Sequence, residues 1–115
     1  MRLVTVLDCK DPAGLAPFWE AALGYKRVAA GGQYVVLGTG DRSQHELILQ
    51  GVEEPKTVKN RMHLDIKASD VDAEADRLVA LGARRIGDPV EEWGERWVVL
   101  ADPEGNELCV CQEGC

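Results

Sequence analysis

The 115-residue chain is predicted to be an α+β protein built from two tandem βαβββ units, which form one curved eight-stranded mixed sheet with a concave pocket. Three observations carry this. Helical and strand-like patterns follow one order and then repeat it. The stretches "QYVVLGTGDRSQHELILQ" and "RWVVLADPEGNELCVC" each run from an aromatic residue through Val-Val-Leu and a turn to Glu-Leu. Equivalent residues keep an offset of roughly 60: Asp11 with Asp70, Leu23-Gly24 with Leu81-Gly82, Tyr34 with Trp97, and Glu46-Leu47 with Glu107-Leu108.

In order, "RLVTVLDC" is rich in β-branched residues and reads as a strand. "DPAGLAPFWEAALG" reads as a helix with Asp11 at the N-cap, Pro12 in the first position and Gly24 closing it. Leu15, Phe18, Trp19, Ala22 and Leu23 make its apolar stripe. Pro17 removes a backbone donor, which predicts a kink or a later start. "YKRVAA", "QYVVLG" and "HELILQ" follow as a three-strand meander, and the polar "GVEEPKTVKN" as a connection. The second unit repeats the plan: strand "RMHLDIKA", helix "SDVDAEADRLVALG" with a Ser69-x-x-Asp72 capping pattern, then strands "ARRIGD", "RWVVLAD" and "NELCVC". Trp93 falls in a loop before the seventh strand. The boundaries are one domain over 1–115, with unit one at about 1–52, a linker at about 53–60 and unit two at about 61–115.

Composition narrows the function. Apolar residues at 45% and charged residues at 29% describe a globular chain. A net charge of −7 argues against nucleic acid or an anionic membrane surface as partner. With no signal peptide pattern and no long apolar run, a cytoplasmic protein is expected. Its four cysteines, Cys9, Cys109, Cys111 and Cys115, then read as reduced thiols, the last two at a fraying end. Neither a nucleophile elbow nor a phosphate loop is present, and "GTGDRSQ" lacks the helix a phosphate cradle needs.

Two βαβββ units side by side can curl their sheets around a shared concave surface, where small molecules bind. The plan resembles the vicinal oxygen chelate superfamily, which includes glyoxalase I, bleomycin-resistance proteins, fosfomycin-resistance enzymes and extradiol dioxygenases. The resemblance spans the chain. It is carried by Asp11-Pro12, Phe18-Trp19, Leu23-Gly24, Lys59, Arg61, "HLD" at His63 to Asp65, and "DPEGNE" at Asp102 to Glu107, as in small bacterial glyoxalase-like proteins.

The resemblance implies four converging metal ligands, one on the first and one on the last strand of each unit. Those positions read Val4, Ile48, His63 and Cys109, and two of the four are aliphatic. His with Cys falls short of the three protein ligands usual for catalytic zinc. No metal or other cofactor is therefore expected; a divalent metal, if held, would fall to His63 and Cys109, with Gln50 and Cys111 one register step away.

Strand alternation sets Arg61, His63 and Asp65 on one face, with Met62, Leu64 and Ile66 packed beneath the helices. The resemblance makes the polar face the concave one. Either these residues bind or exchange protons with a ligand, or Arg61 and Asp65 pair around a satisfied His63. The same placement puts Cys109 in the cup, and Trp97 and Tyr34 either line it or pack in the core. His45 has the opposite parity to Ile48 and should lie at the surface.

The expected ligand-binding set is Arg61, His63, Asp65, Trp97, Cys109, Gln50, Val4 and Ile48. The expected function is metal-free binding of a small organic molecule in the cup between the two units, as in bleomycin-resistance-like proteins. The alternative is a lyase, isomerase or dehydratase with His63 and Asp65 as its catalytic acid–base pair. A homodimer is expected as well.

Overall fold

The computed structural model describes residues 2–113, so Cys115 lies outside the described residues. The chain divides into two compact units, Met1–Lys56 and Thr57–Cys115. Unit one holds β1 (Val4–Cys9), α1 (Pro12–Leu23), β2 (Lys26–Gly31), β3 (Tyr34–Gly38) and β4 (Glu46–Gly51). Unit two holds β5 (Leu64–Ala68), α2 (Val71–Ala80), β6 (Arg84–Arg85), β7 (Val90–Glu92), β8 (Glu95–Ala101) and β9 (Glu107–Gln112). The architecture is α+β, with mixed sheets of matching topology. The strand order is β1-β4-β3-β2 in one unit and β5-β9-β8-β6 in the other, with β7 also paired to β8. The first strand of each unit runs parallel to the last, and the remaining pairs are antiparallel.

Each helix starts where an aspartate can cap it. Asp11 Oδ1 accepts from the Gly14 amide at 3.1 Å, and Asp70 Oδ1 from the Ala73 amide at 3.0 Å. The second cap is Asp70 rather than Ser69, because Asp70 is the last extended residue (φ −124°, ψ 97°) before Val71 opens the helix. Pro17 neither delays nor ends α1, which begins at Pro12 and runs through it. The cost is one missing i→i−4 bond, offset by the stripe the helix buries: Leu15, Ala16, Phe18, Trp19 and Ala22. Trp19 is 1% exposed and meets Phe18 edge to face at 5.2 Å. In unit one the buried strand residues are Val35, Leu37, Leu47 and Leu49. In unit two Val71, Ala75 and Leu78 are buried with Val98, Leu100, Leu108 and Val110. Each buried Val, Leu or Phe side chain among them contributes about 1.5–3 kcal/mol.

Three expectations change. The strand expected over 83–88 is only Arg84–Arg85, and a separate strand, β7, pairs with β8 across a two-residue turn. Trp93 is thus a hairpin tip rather than part of a longer loop, with φ 56° and 96% exposure. The fifth strand begins at Leu64, so Met62 lies outside it and is 78% exposed instead of packing beneath a helix. Cys111 does not fray: it sits within β9, opposite Trp97 and Lys67, and is buried.

The repeated Glu-Leu has a structural role. In each unit the glutamate opening the last strand holds the segment that leads into the first. Glu46 Oε1 accepts from Arg2 at 3.0 Å. Glu107 accepts from Lys59 Nζ at 2.6 Å and from the Asn60 amide at 2.8 Å. "DPEGN" is a side-chain-closed turn: Asp102 Oδ1 accepts from the amides of Glu104 at 2.9 Å and Asn106 at 2.8 Å. Both Asp102 and Asn106 are buried, so the turn sets where β9 begins.

Candidate functional site

Register places the candidate side chains of unit two. Leu108 and Val110 of β9 are fully buried, as are their β8 partners Leu100 and Val98. The alternate residues point to the opposite face. There Cys109 lies between Asp65 of β5 and Val99 of β8, and Cys111 between Lys67 and Trp97. His63 precedes β5 and turns its Nε2 to 3.1 Å from Asp65 Oδ1. His63, Asp65, Lys67, Glu95, Trp97, Cys109 and Cys111 line a pocket of about 310 Å³, at the lower end of the range for small-ligand sites.

The pocket lining mixes charged side chains with two thiols and an indole. Its ionised groups are two carboxylates, Asp65 and Glu95, and one ammonium, Lys67. His63 and Asp65 are each more than a third exposed, so their attraction is screened by water and orients more than it stabilises. Burial, and then the neighbouring Asp65 charge, push the Cys109 thiol up; the same causes push Cys111 up to about 11. Both shifts disfavour the thiolate form.

His63, Asp65, Trp97 and Cys109 come together. Arg61 lies in the bend before β5, is exposed and does not line this pocket; alternation does not reach it because the strand starts three residues later. Val4, Ile48 and Gln50 belong to the sheet of unit one. Val4 pairs with Glu46, Ile48 with Val6 and Gln50 with Asp8, so the three share one face of that sheet. Tyr34 pairs with Gln50 and is half exposed. His45 is exposed, and its ring nitrogens contact Thr5 Oγ1 at 2.9 Å and the Tyr25 hydroxyl at 3.0 Å. Lys67 and Glu95 were missed by the sequence reading, although each stands two residues along a strand from a predicted member, Asp65 or Trp97.

A mixed βαβββ unit, repeated, with its polar side chains on the face opposite the buried one, is the architecture of the glyoxalase, bleomycin-resistance and dioxygenase proteins. Solved structures agree. A glyoxalase/bleomycin resistance protein/dioxygenase family enzyme from Burkholderia phytofirmans PsJN superposes with a TM-score of 0.77 at 18% identity, covering 95% of each chain. Lactoylglutathione lyase from Agrobacterium tumefaciens gives 0.70 at 21% identity, over 98% of this chain and 93% of that one. TioX from Micromonospora sp. ML1 gives 0.66 at 24% identity, over 97% and 98%. No curated protein matches the sequence significantly. The family profile for the glyoxalase-like domain matches residues 4–111, and the chain belongs to that family, within the vicinal oxygen chelate superfamily. It is a glyoxalase-type protein of the small-molecule-binding kind.

The family implies a divalent metal, which the side chains at its four positions do not fit. Val4 and Ile48 carry no donor atom, which leaves His63 and Cys109. Within unit two, however, one donor atom each from His63, Asp65 and Cys109 lie within 4.8 Å of one another.

Proposed function

We propose that the protein binds a small organic molecule in the pocket of its second unit, without the four-donor metal of its metal-dependent relatives. The observation that supports this is the His63–Asp65 contact at 3.1 Å on the wall of a pocket that also presents the indole of Trp97. A hydrogen-bonding pair beside an aromatic surface suits an amphipathic ligand: the pair orients it and the ring covers its apolar part. A thermal-shift screen of metabolites and drugs should find ligands that raise the melting temperature. For such a ligand, His63→Ala should weaken binding by about 1–3 kcal/mol, the cost of an unsatisfied polar partner, with the fold intact. Unchanged affinity in His63→Ala would place the ligand elsewhere.

A second reading rests on the same contact. An imidazole against a carboxylate is an acid–base pair, suited to a lyase, isomerase or dehydratase. Turnover of a bound ligand that disappears in Asp65→Asn while binding persists would select this reading.

A homodimer and a cytoplasmic location complete the proposal. Among the described residues β2 pairs within its sheet with β3 alone, so its outer edge can be covered by a second copy. Sedimentation as a 12.6 kDa monomer at tens of micromolar would refute the dimer. Cys9, Cys109 and Cys111 are not joined in disulfides, which is compatible with a reducing compartment, and cell fractionation tests the location. No helix among the described residues is long and apolar enough to cross a membrane.

A further inference from the structure

We infer that the pocket of unit two takes an organic cation, an amine carried on an apolar or aromatic body, with its ammonium on Glu95 beside the Trp97 indole. This rests on that pocket being the ligand site, and names the chemistry of its occupant. The charged groups of the lining differ in how they are satisfied. Asp65 Oδ1 meets His63 Nε2 at 3.1 Å, and the Asp65 carboxylate also accepts from the Cys111 thiol. Lys67 is engaged within the protein as well. Glu95 lines the pocket and has neither a hydrogen bond nor an ion pair among the described residues. The adjacent Arg96 does not serve it, being paired with Glu91 at 2.7 Å and with Asp72 at 2.9 Å.

Glu95 and Trp97 stand two residues apart on β8, so both side chains lie on the pocket face of the sheet. Trp97 is half-buried, which leaves part of its ring open. A cation within about 6 Å of an indole face is attracted by the ring, and a carboxylate alongside adds a charge-assisted hydrogen bond. Trp97 pairs with Cys111, and Cys111 with Lys67, which sets β5 two strand spacings, about 10 Å, from β8. Across that gap Cys109 and Cys111 form a floor of weakly polar thiols suited to an apolar body. Two carboxylates against one ammonium leave the ionised lining one negative charge in excess. A monocation balances that charge, whereas an anion would add to it. A metal ion is a poor occupant at Glu95, because one carboxylate beside a ring offers too few oxygens for its shell.

The test titrates the isotope-labelled full chain with three probes of one shape and different charge: naphthylmethylamine, naphthylmethanol and naphthoate. The readout is the Trp97 indole N–H resonance, identified by its loss in Trp97→Phe. At neutral pH the amine should bind about tenfold more tightly than the alcohol, and naphthoate more weakly than either. Glu95→Gln should bring the amine down to the alcohol's affinity. That substitution breaks no hydrogen bond or ion pair among the described residues, and the alcohol reports whether the pocket survives it. Glu92→Gln removes an equally exposed carboxylate of the same hairpin that does not line this pocket, and should keep the tenfold preference. Equal affinities for amine and alcohol, or a preference that survives Glu95→Gln, would overturn the cation assignment while the pocket stands as a ligand site. A Trp97 resonance that none of the three probes moves would remove the pocket and the assignment together.

Discussion

Replacing Asp102 by Ala should cost about 3 kcal/mol of stability. The carboxylate is 3% exposed. It accepts from the Glu104 amide at 2.9 Å and the Asn106 amide at 2.8 Å, and Asn106 Nδ2 lies 3.1 Å from its second oxygen. A hydrogen bond to a charged acceptor contributes about 1.5–3 kcal/mol. The Glu104 amide is only partly buried and regains water, so most of its share returns. Asn106 is 5% exposed, and its amide and side-chain donors are left unsatisfied at about 1–3 kcal/mol each, the upper end being softened by water entering the gap. The sum lands near 3 kcal/mol, a large part of the about 5–15 kcal/mol that holds a domain together. At this chain length that lowers Tm by about 10–15 °C. Urea denaturation followed by far-ultraviolet circular dichroism measures it. Asp102→Asn, which keeps one acceptor oxygen, should lose less. A change below about 0.5 kcal/mol for Asp102→Ala would show that the turn is set by its backbone alone and that the carboxylate does not hold β9.

Trp93 and Gly94 form the β7–β8 turn with φ of 56° and 77°, a geometry that favours Asn-Gly and penalises a bulky residue. Because Trp93 is 96% exposed it has little packing to lose, so Trp93→Asn should stabilise by about 1 kcal/mol in the same denaturation assay. Glu46 is held below its ordinary value of 4.5, first by the hydrogen bond from Arg2 and also by the Arg42 charge, with Arg42 Nε 2.5 Å from Oε2. A depressed carboxyl contributes stability above pH 4.5 and loses it as the pH falls through its folded value. Unfolding midpoints measured between pH 7 and pH 3 should fall on the acid side, and Glu46→Gln should flatten that fall; an identical acid limb in the variant would refute the assignment.

Local chemistry made much of this protein legible. The helix start at Asp11 is readable because an aspartate before an apolar-periodic run can satisfy an orphan amide wherever the helix later packs; the second cap falls one residue beyond the Ser69 pattern, at Asp70. The doubled Val-Val-Leu and Glu-Leu stretches announced two like units, and both became paired strands with the same order. That Val4 and Ile48 carry no donor atom is a matter of sequence too, since no fold turns either into a ligand.

Other features depended on what meets what in space. Pro17 argues locally for a break, yet the helix persists, because burying five side chains outweighs one absent hydrogen bond. Where β5 begins was a tertiary matter: Lys59 and Asn60 are tied to Glu107, some 47 residues away, and the pairing with β9 takes hold only at Leu64. That register excluded Arg61 from the pocket and exposed Met62. Asp65 was in plain view beside His63, but alternation along a strand gives only the face a residue occupies. Its distance from a cysteine 44 positions later is set by the parallel β5–β9 register, which long-range pairing alone decides.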